Sequence, residues 1–264
     1  MKRKITQITF QKKDILLEYS ENNKIKEITL TPSVYSDFYL YEGKEIPEEE
    51  WKSLCLKNEE AKTMQYAYNL VARSSYSKKK LEKKLLEKGY PEKDIRSVLK
   101  TLEQQGLIDD EQYAKDYIEY MNEKNYGQQR ILEDLKEDGI PSFILSKFSF
   151  PDAKEKEKLK KVLPLLSKKW SNESHRNREK HLYEALYRRG FTSELIQKEM
   201  ALMGSRDEDQ EWKACSMAYL KYQRLYATNR KQDISQRIIT ALMRKGFSYD
   251  IIKQVMEAHK NEVD

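Results

Sequence analysis

The sequence predicts a mainly helical protein of tandem three-helix, helix-turn-helix-like repeats forming an elongated array, preceded by a small antiparallel β meander. Three observations carry this. The phrase Leu81-x-x-x-Leu85-x-x-x-Gly89-Tyr90 recurs as Ile131-x-x-x-Leu135-x-x-x-Gly139-Ile140, Leu182-x-x-x-Leu186-x-x-x-Gly190-Phe191 and Ile238-x-x-x-Leu242-x-x-x-Gly246-Phe247. The copies stand 50, 51 and 56 residues apart, which marks stacked modules that build an extended surface. Residues 5–30 instead alternate apolar and polar residues, the period of half-buried strands. Charged residues make up 36% of the chain and apolar ones 38%, a balance that favours several small cores over one large one.

The strand pattern runs through Ile8 and Phe10, then Ile15, Leu17 and Tyr19, then Ile28 and Leu30. Asn22-Asn23 tolerates the positive backbone angles of a tight hairpin turn. Three strands alone are marginal, so the meander is expected to pack on the helical segment next to it in the chain. Thr31-Pro32 reads as a helix cap followed by proline at the first helical position. Ile46-Pro47 followed by Glu48, Glu49 and Glu50 repeats the device, with carboxylates where the helix dipole favours them. From there the chain reads as wholly helical.

The second copy shows the module. Asp109 caps a helix with Gln112 completing a capping box, and Tyr113, Ala114, Tyr117, Ile118 and Met121 form its apolar stripe. Asn125-Tyr126-Gly127 ends it, and a second helix carries Ile131 and Leu135 to Gly139. Glycine there suits the left-handed position that closes a helix. Pro141 opens a third helix holding Ile144, Leu145 and Phe148. Pro164 is expected to kink or divide the first helix of the third repeat. Residues 171–177 and 203–207 read as polar connectors. The divisions are 1–58 for the meander and short helices, then repeats at 59–106, 107–150, 151–204 and 205–264.

Several function classes find no support. Cys55 and Cys215 are far apart without metal-ligand spacing, so a reducing cytoplasm is the simple expectation. The N-terminus has basic residues but no apolar run behind them, and nowhere do 18 apolar residues run together. His175, His181 and His259 lack zinc-site spacing, and no glycine-rich loop suited to a nucleotide phosphate occurs. Asp109-Asp110-Glu111 could suggest Mg²⁺ but reads better as a helix cap with its flanking charges. No cofactor, metal or catalytic group is expected.

Basic residues are the functional candidates. The net charge is +6 and uneven: residues 73–100 hold ten Lys/Arg against four Asp/Glu, and residues 101–138 hold four against eleven. Arg73, Lys78, Lys79, Lys80, Lys83, Lys84 and Lys88 form a first cluster. Arg130 stands alone, Arg176, Arg178, Arg188 and Arg189 form a second cluster with Lys180, and Arg237, Arg244 and Lys245 a third. Each could equally be a solvated helix face. As contacts they suit DNA phosphates or an acidic protein surface. Tyr126 and Tyr226, beside repeat breaks, are candidates for base stacking.

The stretch Ala67-Tyr68-Asn69-Leu70 through Arg73, Ser77-x-x-x-Leu81, the phrase Gly106-Leu107-Ile108-Asp109-Asp110-Glu111-Gln112-Tyr113-Ala114 and Gly127-x-x-Arg130-Ile131, in this order, resemble the RecX family of bacterial recombination regulators. The match covers roughly 60–148 and continues as weaker repeats to about 259. The N-terminal strands resemble an extension on longer Gram-positive members. Gln128 stands where the family often has proline, and Tyr76 where it often has arginine. The resemblance implies a curved array lying along the groove of the RecA–DNA filament, inhibiting strand exchange, ATP hydrolysis and co-protease activity. It implies RecA as partner, weak contacts to single- and double-stranded DNA, no membrane and a monomer. Direct DNA binding by competition is the alternative.

Overall fold

The computed structural model describes residues 2–202, 207–226 and 234–261, so the connector expected at 203–207 lies, apart from Asp207, outside the described residues. The alternating segment forms β1 (Lys2–Phe10), β2 (Ile15–Glu21) and β3 (Lys24–Leu30), all antiparallel. Asn22 and Asn23 make the turn with φ of 51° and 59°, the left-handed pair of a tight hairpin. The sheet has four strands rather than three. A short β4 (Glu45–Pro47) pairs with Lys2 to Lys4, giving the order β3-β2-β1-β4. Its three residues are too few to show alternation, and Ile46 points into the core with no exposure.

Proline at position 32 opens α1 (Pro32–Asp37) as expected, but the Thr31 side chain does not cap it. Instead the Thr31 amide donates to Asn58 Oδ1 at 3.0 Å, and Asn58 Nδ2 donates to the Thr29 carbonyl at 2.8 Å. Asn58 lies on α2 (Glu48–Val71), for which Pro47 is the cap residue rather than the first helical one. A fully buried amide thus satisfies the end of β3 where no strand continues.

An ion network ties the sheet to α2. Arg3 reaches Glu21 at 2.5 Å and Glu48 at 2.7 Å, Lys26 also pairs with Glu21, and the Arg3 guanidinium lies 5.1 Å from the Trp51 ring centre. The Lys26 hydrogen bond, aided by Arg3, holds the Glu21 carboxyl below its ordinary value. The hydrogen bond from Arg3 does the same for Glu48. Folded values below the unfolded ones mean stability that is complete above the ordinary glutamate range and is lost as pH falls through it to the depressed values. Acid titration followed by Trp51 fluorescence is therefore expected to show the sheet loosening over that window. Arg3→Met should shift the transition to higher pH, and an unchanged acid midpoint would mean that the network adds no stability.

After α2 the helices come in threes. The C-terminal half of α2 packs with α3 (Lys78–Glu87) and α4 (Glu92–Gln104) around Ala67, Leu81, Leu85, Ile95, Val98 and Leu102. Then come α5 (Asp110–Glu123), α6 (Gln128–Glu137) and α7 (Ser142–Leu145). The third set is α8 (Asp152–Lys169), α9 (His175–Arg188) and α10 (Ser193–Ala201), whose core holds Leu159, Leu182, Leu186, Phe191 and Ile196. The fourth is α11 (Glu208–Tyr226), α12 (Ile234–Arg244) and α13 (Tyr249–Asn261), around Cys215, Ile238, Leu242, Ile252 and Val255. Burial pushes the Cys215 thiol up to about 12, which leaves it inert as a nucleophile. By contacts the chain divides into two compact units, residues 1–115 with 136–144, and residues 116–135 with 145–264.

Three local expectations need correction. Pro164 does not divide α8: both it and Lys160, whose carbonyl loses a partner, are exposed, so water can take that carbonyl's hydrogen bond. The helix after Pro141 is a single turn, Ser142–Leu145, that ends before Phe148. The connector expected at 171–177 is shorter, because His175 to Asn177 form the first turn of α9 under a Ser174 cap.

Candidate contact surface and the joints between helix sets

Each second helix of a set ends in the recurrent glycine, and Gly89, Gly139, Gly190 and Gly246 have φ of 90°, 86°, 87° and 82°. At three of them two amides close the last turn: Gly89 N donates to Leu86 O at 2.9 Å and Tyr90 N to Leu85 O at 3.3 Å, with matching pairs at Gly190 and Gly246. This is the Schellman closure, in which the residue after glycine also packs on the helix end.

The glycine loops have a second role. At Gly139, the Ser77 hydroxyl, which caps α3, donates to the Asp138 carbonyl at 2.6 Å. At Gly246, the Ser174 hydroxyl, which caps α9, donates to the Lys245 carbonyl at 2.6 Å. Between them Gly127 stands where a serine would, and backbone takes over. Gly127 N donates to Arg189 O at 2.7 Å, and Gln129 N to Gly190 O at 3.0 Å. In all three cases the N-terminal turn of one second helix seats on the glycine loop of the next. A Cβ on Gly139 would lie 2.5 Å from Lys79 Cβ, one on Gly190 2.9 Å from Arg130 Cα, and one on Gly246 2.8 Å from Ser174 Oγ. Glycine is needed there for approach as well as for backbone angle.

Two charged residues of α8 secure the middle loop. Lys158, 7% exposed, donates to Tyr126 O at 2.7 Å and Asn122 Oδ1 at 2.9 Å and pairs with Glu155 at 2.5 Å. Glu155 in turn accepts from the Gln128 amide at 3.0 Å. The lysine serves the carbonyl end of α5 and the glutamate the amide end of α6, each matching the local helix dipole. Asp109 Oδ1 caps α5 through the Glu111 and Gln112 amides at 2.8 and 3.1 Å, whereas Asp110 crosses to the Lys78 amide of α3 at 2.8 Å. The acidic run thus serves two helix starts.

The basic candidates fall into two groups. Many are engaged at or near the joints. Lys80 pairs with Asp138 at 2.8 Å and donates to the Tyr113 hydroxyl at 2.9 Å, Arg130 pairs with Asp134 at 3.0 Å, and Arg178 bonds Gln210. Burial opposes the charge on Lys80, but Asp138 and Tyr113 outweigh it and raise its affinity for the proton. Lys79 lies against Gly139 and Arg176 near Gly246, while Lys245 supplies the carbonyl that Ser174 bonds. Lys78 pairs with Glu103 and Lys84 with Glu87, at 2.8 and 3.1 Å. Arg189 covers Tyr126 at 4.9 Å and Arg237 covers Tyr226 at 4.5 Å, so one face of each candidate stacking ring already holds a guanidinium.

The remaining candidates are open. Arg73, Lys83, Arg188 and Arg244 are exposed and, among the described residues, make no ion pair. Lys88 is exposed with Nζ 5.9 Å from the Tyr66 ring. A hollow of about 350 Å³ beside Lys83 is lined by Ser74, Ser75, Tyr76, Lys80, Lys84 and Glu87. Among the described residues no group of acidic, histidine and cysteine side chains is placed to hold a metal ion, and no helix is long and apolar enough to cross a membrane.

Comparison with known proteins places this architecture. The family model for the first three-helix domain of RecX matches residues 64–102, and that for its third three-helix domain matches residues 208–256. A regulatory protein RecX from Caldanaerobacter subterraneus is 31% identical over 61% of this chain and 80% of its own length. The chain belongs to the RecX family. A RecX from Oceanobacillus iheyensis is 27% identical over 97% of both chains, so the likeness includes the N-terminal sheet region. A crystal structure of a regulatory protein RecX, 25% identical, superposes with a TM-score of 0.54 over 74% of this chain and 97% of that one. RecX proteins carry the name of regulatory proteins, and the RecX model for a third domain falls here on the fourth helix set.

Proposed function

We propose that this chain is a non-enzymatic regulator that binds the RecA recombinase along its DNA filament and lowers its ATPase, strand-exchange and co-protease activities. A single molecule is the acting unit, cytoplasmic, with modules at 59–106, 107–150, 151–204 and 205–264. Membership of the RecX regulatory family carries this reading. The exposed cations support it, since Arg73, Lys83, Lys88, Arg188 and Arg244 hold charge that the fold does not spend on its own carboxylates. Such residues suit an acidic protein groove or a phosphate backbone.

ATP hydrolysis by RecA with single-stranded DNA in saturating excess tests it. Suppression should persist at regulator concentrations well below that of the recombinase. Inhibition that disappears when free DNA is abundant would instead establish competition for DNA. Reversing charge at Arg73, Lys83 and Lys88 together should weaken inhibition about tenfold or more, roughly 1.4 kcal/mol, with circular dichroism unchanged. Full inhibition by that variant would exclude the α3 face as a contact.

A further inference from the structure

The hollow beside Lys83 is lined by three lysines, two serines and a tyrosine against a single carboxylate, Glu87. We propose that it seats one backbone phosphate of a DNA strand. The proposal rests on the reading of the α3 face as a contact surface and names the ligand of its Lys83 corner.

The donors are available. Lys83 is exposed and, among the described residues, makes no ion pair. Lys84 pairs with Glu87 at 3.1 Å, with both side chains about half exposed at 52% and 49%. Such a surface pair is weak, so an incoming anion displaces Glu87 at little cost. Asp138 holds Lys80 in place at 2.8 Å. Ser74 and Ser75 are exposed, and among the described residues neither hydroxyl makes a hydrogen bond. A carboxylate is best met by the planar fork of an arginine, and no arginine lines the hollow. Ammonium groups and hydroxyls arriving from several sides instead suit the separate oxygens of a phosphate.

The fold does not require these cations. On the spacing of the recurrent phrase, Lys83 and Lys84 correspond to Glu133 and Asp134, to Glu184 and Ala185, and to Thr240 and Ala241. All four second helices form, so the fold accepts either sign at these positions. In the second set the chain uses the matching corner itself: Tyr76 corresponds to Tyr126, over which Arg189 lies at 4.9 Å. The lysine pair belongs to the first set alone.

Fluorescence anisotropy of a labelled oligothymidylate with the full chain, in the absence of recombinase, tests this. Lys83→Gln with Lys84→Gln should weaken binding about tenfold or more. It should also lower the slope of log affinity against log salt by about 0.7, the value of one phosphate on a single strand. Ser74→Ala with Ser75→Ala keeps the net charge and should still weaken binding at least about threefold, with circular dichroism unchanged. Wild-type affinity in the serine variant would mean that the lysines act only as a diffuse field, and would overturn the proposal. So would a wild-type chain that binds no strand at about 1 mM. Displacement by inorganic phosphate as effectively as by unlabelled strand would make the hollow a small-anion site and overturn it too. Normal strand binding by both variants, with inhibition of RecA lost, would place the recombinase in the hollow instead. Hollow-dependent strand binding by a wild-type chain that fails to inhibit RecA would leave the proposal standing and remove the regulatory reading.

Discussion

Lys158→Met is expected to remove about 3–5 kcal/mol of stability, because it leaves Glu155 buried without its counter-charge. It also strips the Tyr126 carbonyl and the Asn122 side chain of a donor they receive at 2.7 and 2.9 Å. A buried acceptor left unmade costs far more than the net gain of making it. Denaturant unfolding measures the loss directly. Changing both partners, Glu155→Leu with Lys158→Met, should cost less than the sum of the single changes, since no buried charge remains. The Gln128 amide would still lose its acceptor, so the double variant should not reach wild-type stability. A single-variant loss below about 1 kcal/mol would mean that water reaches the pair, as at ordinary surface salt bridges.

That pair shows where the sequence stops being readable. Glu155 and Lys158 stand in a lysine- and glutamate-rich run whose charge pattern suits a solvated face. What buries them is the α5–α6 loop, about thirty residues away in the chain, and no local period encodes it. The glycine phrase, by contrast, was legible because a helix closed by a left-handed residue is a local event, and all four glycines take that backbone. So was the meander, where alternation and Asn22-Asn23 fix strand and turn together. The three-residue β4 was not, because its partner is β1, more than forty positions earlier in the chain.

The contact candidates divide on the same principle. Charge alone grouped Lys80 and Arg189 with Lys83 and Arg188, although the first two are spent inside the fold. Their partners, Asp138 for Lys80 and Tyr126 for Arg189, lie in other helix sets. A lysine paired with a distant carboxylate and one without a partner look identical in a sequence window. Ser77 and Ser174 cap helices in the structure, but residues 171–177 read as a connector, and a hydroxyl's bond to a carbonyl 61 or 71 residues away leaves no trace in local sequence.

Alanine at Gly190 and at Gly89 should separate the two roles of the repeated glycine. Both backbones are left-handed, with φ of 87° and 90°, so either substitution carries a penalty of about 1–2 kcal/mol for the Cβ alone. At Gly89 nothing further opposes it. At Gly190 the new carbon would fall on the backbone of Arg130, in a joint where the Gly127 and Gln129 amides already bond the loop at 2.7 and 3.0 Å. Backbone on both sides cannot swing aside as a side-chain tip can, so overpacking should add about 1–3 kcal/mol. Gly190→Ala is therefore expected to lower the unfolding free energy by roughly twice as much as Gly89→Ala. It should also speed amide exchange at Gly127 and Gln129, whose hydrogen bonds it breaks, while Gly89→Ala leaves those amides protected. Equal losses at the two positions, with both amides still slow to exchange, would mean that the glycines only close helices and the joints place no demand on them.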